Sequence, residues 1–213
     1  MTTPHAAVVL AAGGSTRLGR PKQGLTRGDE TLVHRTARLA LASGAARVLV
    51  IVGARADSVC EAVRDLPVEC HHNAAWATGL GSSVRVAAAA LATHGGPALL
   101  LVCDQPALED AHLHALLEAA RASSSGCAAT RLGQRLGTPV VVSPEVLRRA
   151  GALHGDRGLR DLLNAEGVDV AACDAPGLVL DIDTPEDLAV AVAKGWLDGQ
   201  FPAGPRGGHG RAG

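Results

Sequence analysis

Ala6-Ala7-Val8-Val9-Leu10-Ala11-Ala12-Gly13-Gly14-Ser15-Thr16-Arg17-Leu18-Gly19-Arg20-Pro21-Lys22 passes from an uninterrupted apolar run into a small-residue loop with three cationic side chains. A run that is apolar throughout reads as a strand buried on both faces, as in a parallel sheet. In the loop, glycines let backbone N–H groups approach phosphate oxygens, Arg17 offers a planar fork and Lys22 a mobile point charge, which suits a polyphosphate. A surface loop with solvated charges has the same composition, but a position directly after the first strand favours phosphate. Two standard phosphate motifs fail on spacing. A Walker A loop needs Gly-Lys-Ser/Thr, whereas Gly19 is followed by Arg20-Pro21, and G-x-G-x-x-G is absent.

Outward from this stretch, Val48 to Val52, Ala98 to Val102, Val140 to Val142 and Leu178 to Leu180 read as further buried strands. Between them, Leu32 to Ala42 reads as a helix stopped by Ser43-Gly44, and Ser83 to Ala92 as an Ala-rich helix before Gly95-Gly96-Pro97. At Thr184-Pro185-Glu186-Asp187, an N-cap residue, a proline at the first helical position and acids in the first turn start another helix. Such alternation predicts an α/β fold: a single-domain, Rossmann-like, three-layer architecture around a mainly parallel central sheet. The domain is expected to span residues 1–198. Residues 199–213, rich in Gly and Pro and without apolar periodicity, are expected to form a disordered tail.

Composition narrows the function. Twenty Lys and Arg balance twenty-one Asp and Glu, which leaves no broad basic face for nucleic acid, and Trp76, Trp196 and Phe201 offer no base-stacking platform. The first apolar run is too short for a membrane span and lacks the basic flank of a signal peptide, so a cytoplasmic location is expected. Five scattered cysteines (Cys60, Cys70, Cys103, Cys127, Cys173) with no C-x-x-C pair read as reduced, mostly buried thiols.

Asp104 closes a buried run, where open sheets bind ligands. A carboxylate there suits magnesium, which takes one or two carboxylates and completes its shell with phosphate oxygens and water. Asp181 and Asp183 flank Ile182 at the end of another run, and only one of them is expected to reach the metal. Ser82 and Ser83 open the Ala-rich helix, where hydroxyls serve as N-caps. Trp76 fits as a plug beside that loop. His71-His72 and His112-x-His114 lack a third ligand for a metal site. Arg157 and Arg160 suit either an acceptor phosphate or ion pairs with Asp156 and Asp161.

The stretch from Leu10 to Lys22 resembles the L-A-A-G-x-S-x-R-M-G-x-x-K signature of MobA/MocA-type nucleotidyltransferases. Matching blocks follow in order: Asn73-Ala74-Ala75-Trp76-Ala77-Thr78-Gly79-Leu80-Gly81-Ser82-Ser83-Val84, Asp104-Gln105-Pro106, Gly137-Thr138-Pro139-Val140, Gly155 to Leu163 and Asp181 to Leu188. The resemblance spans residues 6–195, and its nearest branch is that of the molybdenum cofactor cytidylyltransferases. It implies transfer of a cytidylyl group from CTP to the phosphate of molybdenum cofactor, with pyrophosphate released and Mg2+ as cofactor. A phosphorylated pterin-type acceptor and a molybdoenzyme or its chaperone are the implied partners. Leu10, Ala11, Ala12, Gly13, Gly14, Ser15, Arg17, Lys22, Gly79 and Ser83 would bind nucleotide, Ser83 near the base or ribose. Arg17, Lys22 and Asp104 would be catalytic. For the metal the resemblance favours Asp104 with Asp183, Asp181 being the fallback. Cytidylyl members carry Ala where guanylyl relatives carry Gly, which puts Ala12 at the base pocket. Leu18 and Leu80 replace methionines, a volume-conserving change. Thr138 replaces the usual His or Asn on the acceptor side. Another nucleotide and phosphorylated acceptor, or a non-enzymatic nucleotide- or cofactor-binding accessory role, are the alternatives.

Overall fold

The computed structural model describes residues 3–151, 163 and 169–199. Its strands are β1 (Ala6–Leu10), β2 (Thr26–Arg27), β3 (Glu30–Thr31), β4 (Arg47–Val52), β5 (Glu69–His72), β6 (Ala98–Val102), β7 (Ala128–Leu132), β8 (Arg135–Val142) and β9 (Ala171–Asp174). The helices are α1 (Leu32–Ala42), α2 (Ala56–Ala62), α3 (Leu80–Ala90), α4 (Asp110–Ala122), α5 (Pro144–Gly151) and α6 (Pro185–Ala193). The main sheet has the order β5-β4-β1-β6-β8-β7-β9, and β8 alone runs antiparallel to its neighbours. This is the expected α/β single domain with a mostly parallel central sheet.

Every residue of β1 is at most 6% exposed because the strand lies between β4 and β6 and is covered on both faces. Alternation divides it. Ala7 and Val9 pack with Val33, Ala37 and Leu113 beneath one face, while Ala6, Val8 and Leu10 pack with Val84, Ala87 and Leu147 on the other. The chain departs from β1 to β4 on one side and later to β6 on the other. The crevice at the carboxyl end of β1 is thus the point where open α/β sheets place ligands.

A third, smaller core lies below this crevice. Leu18, Leu25, Leu32, Ile182, Ala191 and Leu197 bury against one another, so the loop after β1, the start of α1 and the α6 region share one apolar support. Asp198 extends the tie, its carboxylate accepting from the N–H groups of Gly28 (2.9 Å) and Asp29 (3.0 Å) in the β2–β3 turn.

Helix α1 matches its expected span, with Thr31 Oγ1 accepting from the His34 N–H. Helix α6 starts where expected, in a reciprocal capping box between Thr184 and Asp187. Three expectations are corrected. Leu178 to Leu180 is not a strand: Pro176–Val179 forms a 3-10 turn after β9, Pro176 has no N–H for a ladder, and Val179 is 60% exposed. The Ala-rich helix begins at Leu80, with Gly79 at its N-cap position, so Ser82 and Ser83 lie inside its first turn. All five cysteines are free, but only Cys103 and Cys127 are buried, Cys70 lying exposed on the edge strand β5. Of the expected tail, residues 200–213 lie outside the described residues. No helix among the described residues is long and apolar enough to cross a membrane.

Leu197→Ala removes a 4%-exposed side chain from the small core. The expected cost is about 2 to 5 kcal/mol of unfolding free energy. Chemical denaturation of the two proteins measures it, and a cost near zero would mean that Leu197 does not brace this core.

Candidate functional site

The loop after β1 is held peptide by peptide. Gln23 Nε2 donates to the carbonyl oxygens of Ala11 (3.0 Å) and Gly13 (2.7 Å), and the Ala54 N–H donates to that of Ala12 (3.1 Å). A trans peptide aims its carbonyl and its N–H in opposite directions. The N–H groups of Ala12, Gly13 and Gly14 therefore face away from these partners, and none has an acceptor among the described residues. Further along, Ser15 has φ 53°, its carbonyl accepts from the Gly19 N–H (3.2 Å) and its Oγ from the Lys22 N–H (3.1 Å), which folds the basic end of the loop back over its start.

Three later segments meet this loop. Lys22 Nζ donates to Asp104 Oδ2 and, at 3.1 Å, to Asp183 Oδ1, while Arg17, 72% exposed, pairs with Asp183 Oδ2 at 2.7 Å. Burial by itself lowers the Lys22 pKa, but Asp104, supported by Cys103 and Asp183, more than offsets this, and the net shift is upward. Lys22 is therefore a fixed cation. The Ile182 N–H donates to the Asp104 carbonyl at 2.9 Å and its side chain is fully buried, which pins Asp181 and Asp183 beside the end of β6. Asp183 is also held from behind, its N–H donating to Asp187 Oδ2 of the α6 capping box at 3.1 Å.

Asp181 turns to Gln105, whose Nε2 donates to Asp181 Oδ1 at 3.1 Å and to the Thr138 carbonyl at 3.0 Å. Burial, then the neighbouring Asp104 charge, push its carboxyl up to about 6, against the pull of Gln105 and Lys22. Asp104 Oδ1 is buried with no hydrogen-bond partner. Residues 180–183 are not a strand, yet Ile182 is buried between the two carboxylates and both stay within electrostatic reach of Lys22, so the expectation that one alone faces this cluster is not met.

A second loop closes the other side. Asn73, 2% exposed, donates through Nδ2 to Ser82 Oγ (2.7 Å) and Ser83 Oγ (3.0 Å), and its Oδ1 accepts from the Ala75 N–H (3.0 Å). Ser82 Oγ itself donates to the Gly79 carbonyl at 2.7 Å. The two serines are thus buried and braced by Asn73. Gly79, at φ 104°, makes the turn into α3 that a side chain would strain. The Trp76 ring sits against the first loop. A Cβ on Gly14 would lie 3.1 Å from the Trp76 ring, and one on Gly53 would lie 2.6 Å from Trp76 Cβ and 2.7 Å from the Ala12 carbonyl oxygen.

Residues 7–170 match the MobA-like NTP transferase domain. The chain belongs to this family. This MobA-like NTP transferase is 34% identical over 194 residues to nicotine blue oxidoreductase of Paenarthrobacter nicotinovorans, covering 85% of this chain and 93% of that one. It superposes on the crystal structure of Rv0371c from Mycobacterium tuberculosis H37Rv with TM-score 0.78 at 29% identity, over 91% of this chain and all of that one. A manganese complex of Rv0371C superposes with TM-score 0.73 at 28% identity, over 90% and 99% of the two chains.

The MobA-like NTP transferase thus gathers Arg17, Lys22, Asp104 and Asp183 at one point, with Asp181 beside them. Leu10, Ala11 and Ala12 are buried where β1 enters the loop, and Gly13, Gly14 and Ser15 lie nearer the surface. Gly79 and Ser83 belong to the second loop. Arg157 and Arg160 lie outside the described residues. His112 is occupied by a Thr130 hydroxyl at 2.8 Å, and no group of three or more His, Cys, Asp or Glu among the described residues forms a ready metal cage. Sequence reasoning passed over Gln23, Gly53 and the inward role of Asn73. Asn73 stands within one of the matching blocks, whereas nothing in the local pattern marks a glutamine after Lys22 as buried.

Because the Asp181 pKa is raised above its ordinary 3.8 to about 6 by folding, the folded chain retains a proton that the unfolded chain has lost, and stability falls as pH rises through that window. In metal-free buffer, Asp181→Asn should melt higher than the parent at about pH 7 and lose that advantage toward pH 4. Melting curves across this range check it, and a variant less stable throughout would contradict the assignment.

Proposed function

We propose that this MobA-like NTP transferase moves a cytidylyl group from CTP to the phosphate of molybdenum cofactor, releasing pyrophosphate. The observation that carries the reading is the meeting of Lys22, Asp104 and Asp183 beside a loop whose N–H groups at Ala12, Gly13 and Gly14 have no acceptor among the described residues. N–H groups of this kind, backed by fixed cations, bind triphosphate oxygens. The Lys22 ammonium, charged at any physiological pH, exchanges a carboxylate for the phosphate charge that grows as the bond from the α-phosphorus to the leaving oxygen breaks. Arg17, on a mostly exposed side chain, reaches the same phosphates from outside. The acceptor phosphate is already anionic, so the residues need to align and neutralise rather than abstract a proton.

The residues fit a magnesium ion. Asp104 Oδ1 is a buried oxygen without a partner, and Asp181 carries a carboxylate burdened by its neighbour's charge. Asp104 and Asp183 would hold the ion, with Asp181 in reserve, and sparse protein ligation of that sort is the magnesium habit. Bound there, it would neutralise phosphate charge. The manganese complex of Rv0371C supports divalent-metal use. Ala12, in place of the glycine of guanylyl relatives, supports CTP, and it acts as part of the packed floor of the loop, being 4% exposed. The reading implies an acceptor of pterin type and delivery to a molybdoenzyme or its chaperone in the cytoplasm.

Pyrophosphate release from CTP and from GTP, each with molybdenum cofactor and magnesium, tests the reading. Higher kcat/KM with CTP is expected. Equal or higher efficiency with GTP would place the chain among guanylyl transferases, and release only with a different phosphorylated acceptor would overturn the molybdenum assignment. Within the same assay, Asp104→Asn and Lys22→Ala should each lower turnover by on the order of 100-fold with folding retained. Full activity of Asp104→Asn would remove the metal site from the account.

A second reading has one observation behind it, the identity to a protein named nicotine blue oxidoreductase. On that reading the chain catalyses a redox reaction of a dye. Turnover of such a dye in the absence of any nucleoside triphosphate would favour it over nucleotidyl transfer.

A further inference from the structure

Gln23 follows Lys22 in a short 3-10 turn and is 3% exposed. Its carboxamide is used at one end only. Nε2 donates to the carbonyls of Ala11 (3.0 Å) and Gly13 (2.7 Å), while Oε1 is buried without a partner. The orientation is settled by chemistry, since the reversed amide would set an oxygen against two carbonyl oxygens. A buried amide oxygen left unpaired is a cost, and a chain that tolerates it is using the donor end for something else.

What the donor end governs follows from peptide geometry. Holding the carbonyls of residues 11 and 13 fixes the peptide planes 11–12 and 13–14, and each trans plane sends its N–H the opposite way. Those N–H groups belong to Ala12 and Gly14, two of the three without an acceptor among the described residues. Ala54 sets the plane between them through the Ala12 carbonyl. The glycines at 13 and 14 leave the loop many other conformations, so without a partner for both carbonyls the N–H groups would not keep these directions.

We propose that Gln23 is a positioning residue that preorganises the triphosphate cradle by gripping the Ala11 and Gly13 carbonyls from behind. The inference rests on the reading of this loop as a triphosphate site. Gln23 touches no nucleotide itself. By linking residue 23 to residues 11 and 13 it also makes the chain segment that carries Lys22 and the segment that carries the N–H groups move together.

The test uses the full chain with Gln23→Met, which keeps length and loses both donors, and Gln23→Glu, which keeps length and sets a carboxylate against two carbonyls. Calorimetry gives the affinity for CTP with magnesium, and backbone amide spectra follow Ala12, Gly13 and Gly14 against Val8 and Val9 of β1 as an internal reference. The expected result is CTP affinity about tenfold weaker for Gln23→Met and weaker again for Gln23→Glu, with the loop amides displaced and those of β1 unmoved. Wild-type affinity and unmoved loop amides in a folded Gln23→Met protein would overturn the proposal, as would displacement spread equally over β1. If Gln23→Met does not fold, Gln23→Glu is measured in the same two ways: weaker CTP binding with displaced loop amides supports the proposal, and wild-type affinity with unmoved loop amides overturns it. Should the parent protein bind no nucleoside triphosphate while the variants still displace the loop amides, the triphosphate reading fails and the grip of Gln23 on the loop stands.

Discussion

A lysine ammonium largely withdrawn from water and facing two carboxylates is the interaction on which the rest of the site depends. Lys22 belongs to the loop after β1, Asp104 to the end of β6 and Asp183 to the approach to α6, so one cation joins segments distant in sequence. Removing charges from water is expensive, and attraction repays it only when the geometry is well supported. The support is visible: Ile182 binds the Asp104 backbone, Asp187 holds Asp183 through the capping box, and Leu18, Leu25 and Ile182 share the small core beneath. On the proposed reading such a cluster is a fixed cation that would trade its carboxylates for phosphates.

The same arrangement explains why the site needs its glycines and its buried amides. Gly14 and Gly53 admit the Trp76 ring between the first loop and the segment after β4, so the second loop is held at a set distance from the cradle. Asn73 then fixes Ser82 and Ser83 within the first turn of α3, and Gln105 ties Asp181 to the β8 backbone at Thr138. Each of these side chains meets backbone or side-chain oxygens. Their common effect is to convert mobile loops into surfaces with few conformations, which is what electrostatic stabilisation of a transition state demands.

Much of this was legible in the chain itself. β1, β4 and β6 are continuous apolar runs because both of their faces are covered, and helices α1 and α6 announce themselves by apolar spacing and capping chemistry. The edge strand β5 reads Glu69-Cys70-His71-His72, mostly exposed, and strand β9 carries Cys173-Asp174, so neither offers the apolar run that marks a buried strand. Leu178 to Leu180 offered the run without the strand, since tertiary packing buries Leu178 alone. Asp181 and Asp183 stand two residues apart on either side of the buried Ile182, a spacing that turns both toward the cluster around Lys22. The signature loop, Asp104 and both later carboxylates, singled out by motif and position, lie together in the structure. Gln23 was not singled out, because which face of a short turn is buried depends on contacts made by the loop about ten residues earlier.

The most direct measurement is a crystal structure of the chain with magnesium and a non-hydrolysable CTP analogue. The predicted result is phosphate oxygens accepting from the N–H groups of Ala12, Gly13 and Gly14, with Lys22 Nζ drawn from Asp104 onto the triphosphate. A nucleotide bound elsewhere, with the Lys22 to Asp104 pair intact and the loop N–H groups facing only solvent, would contradict it.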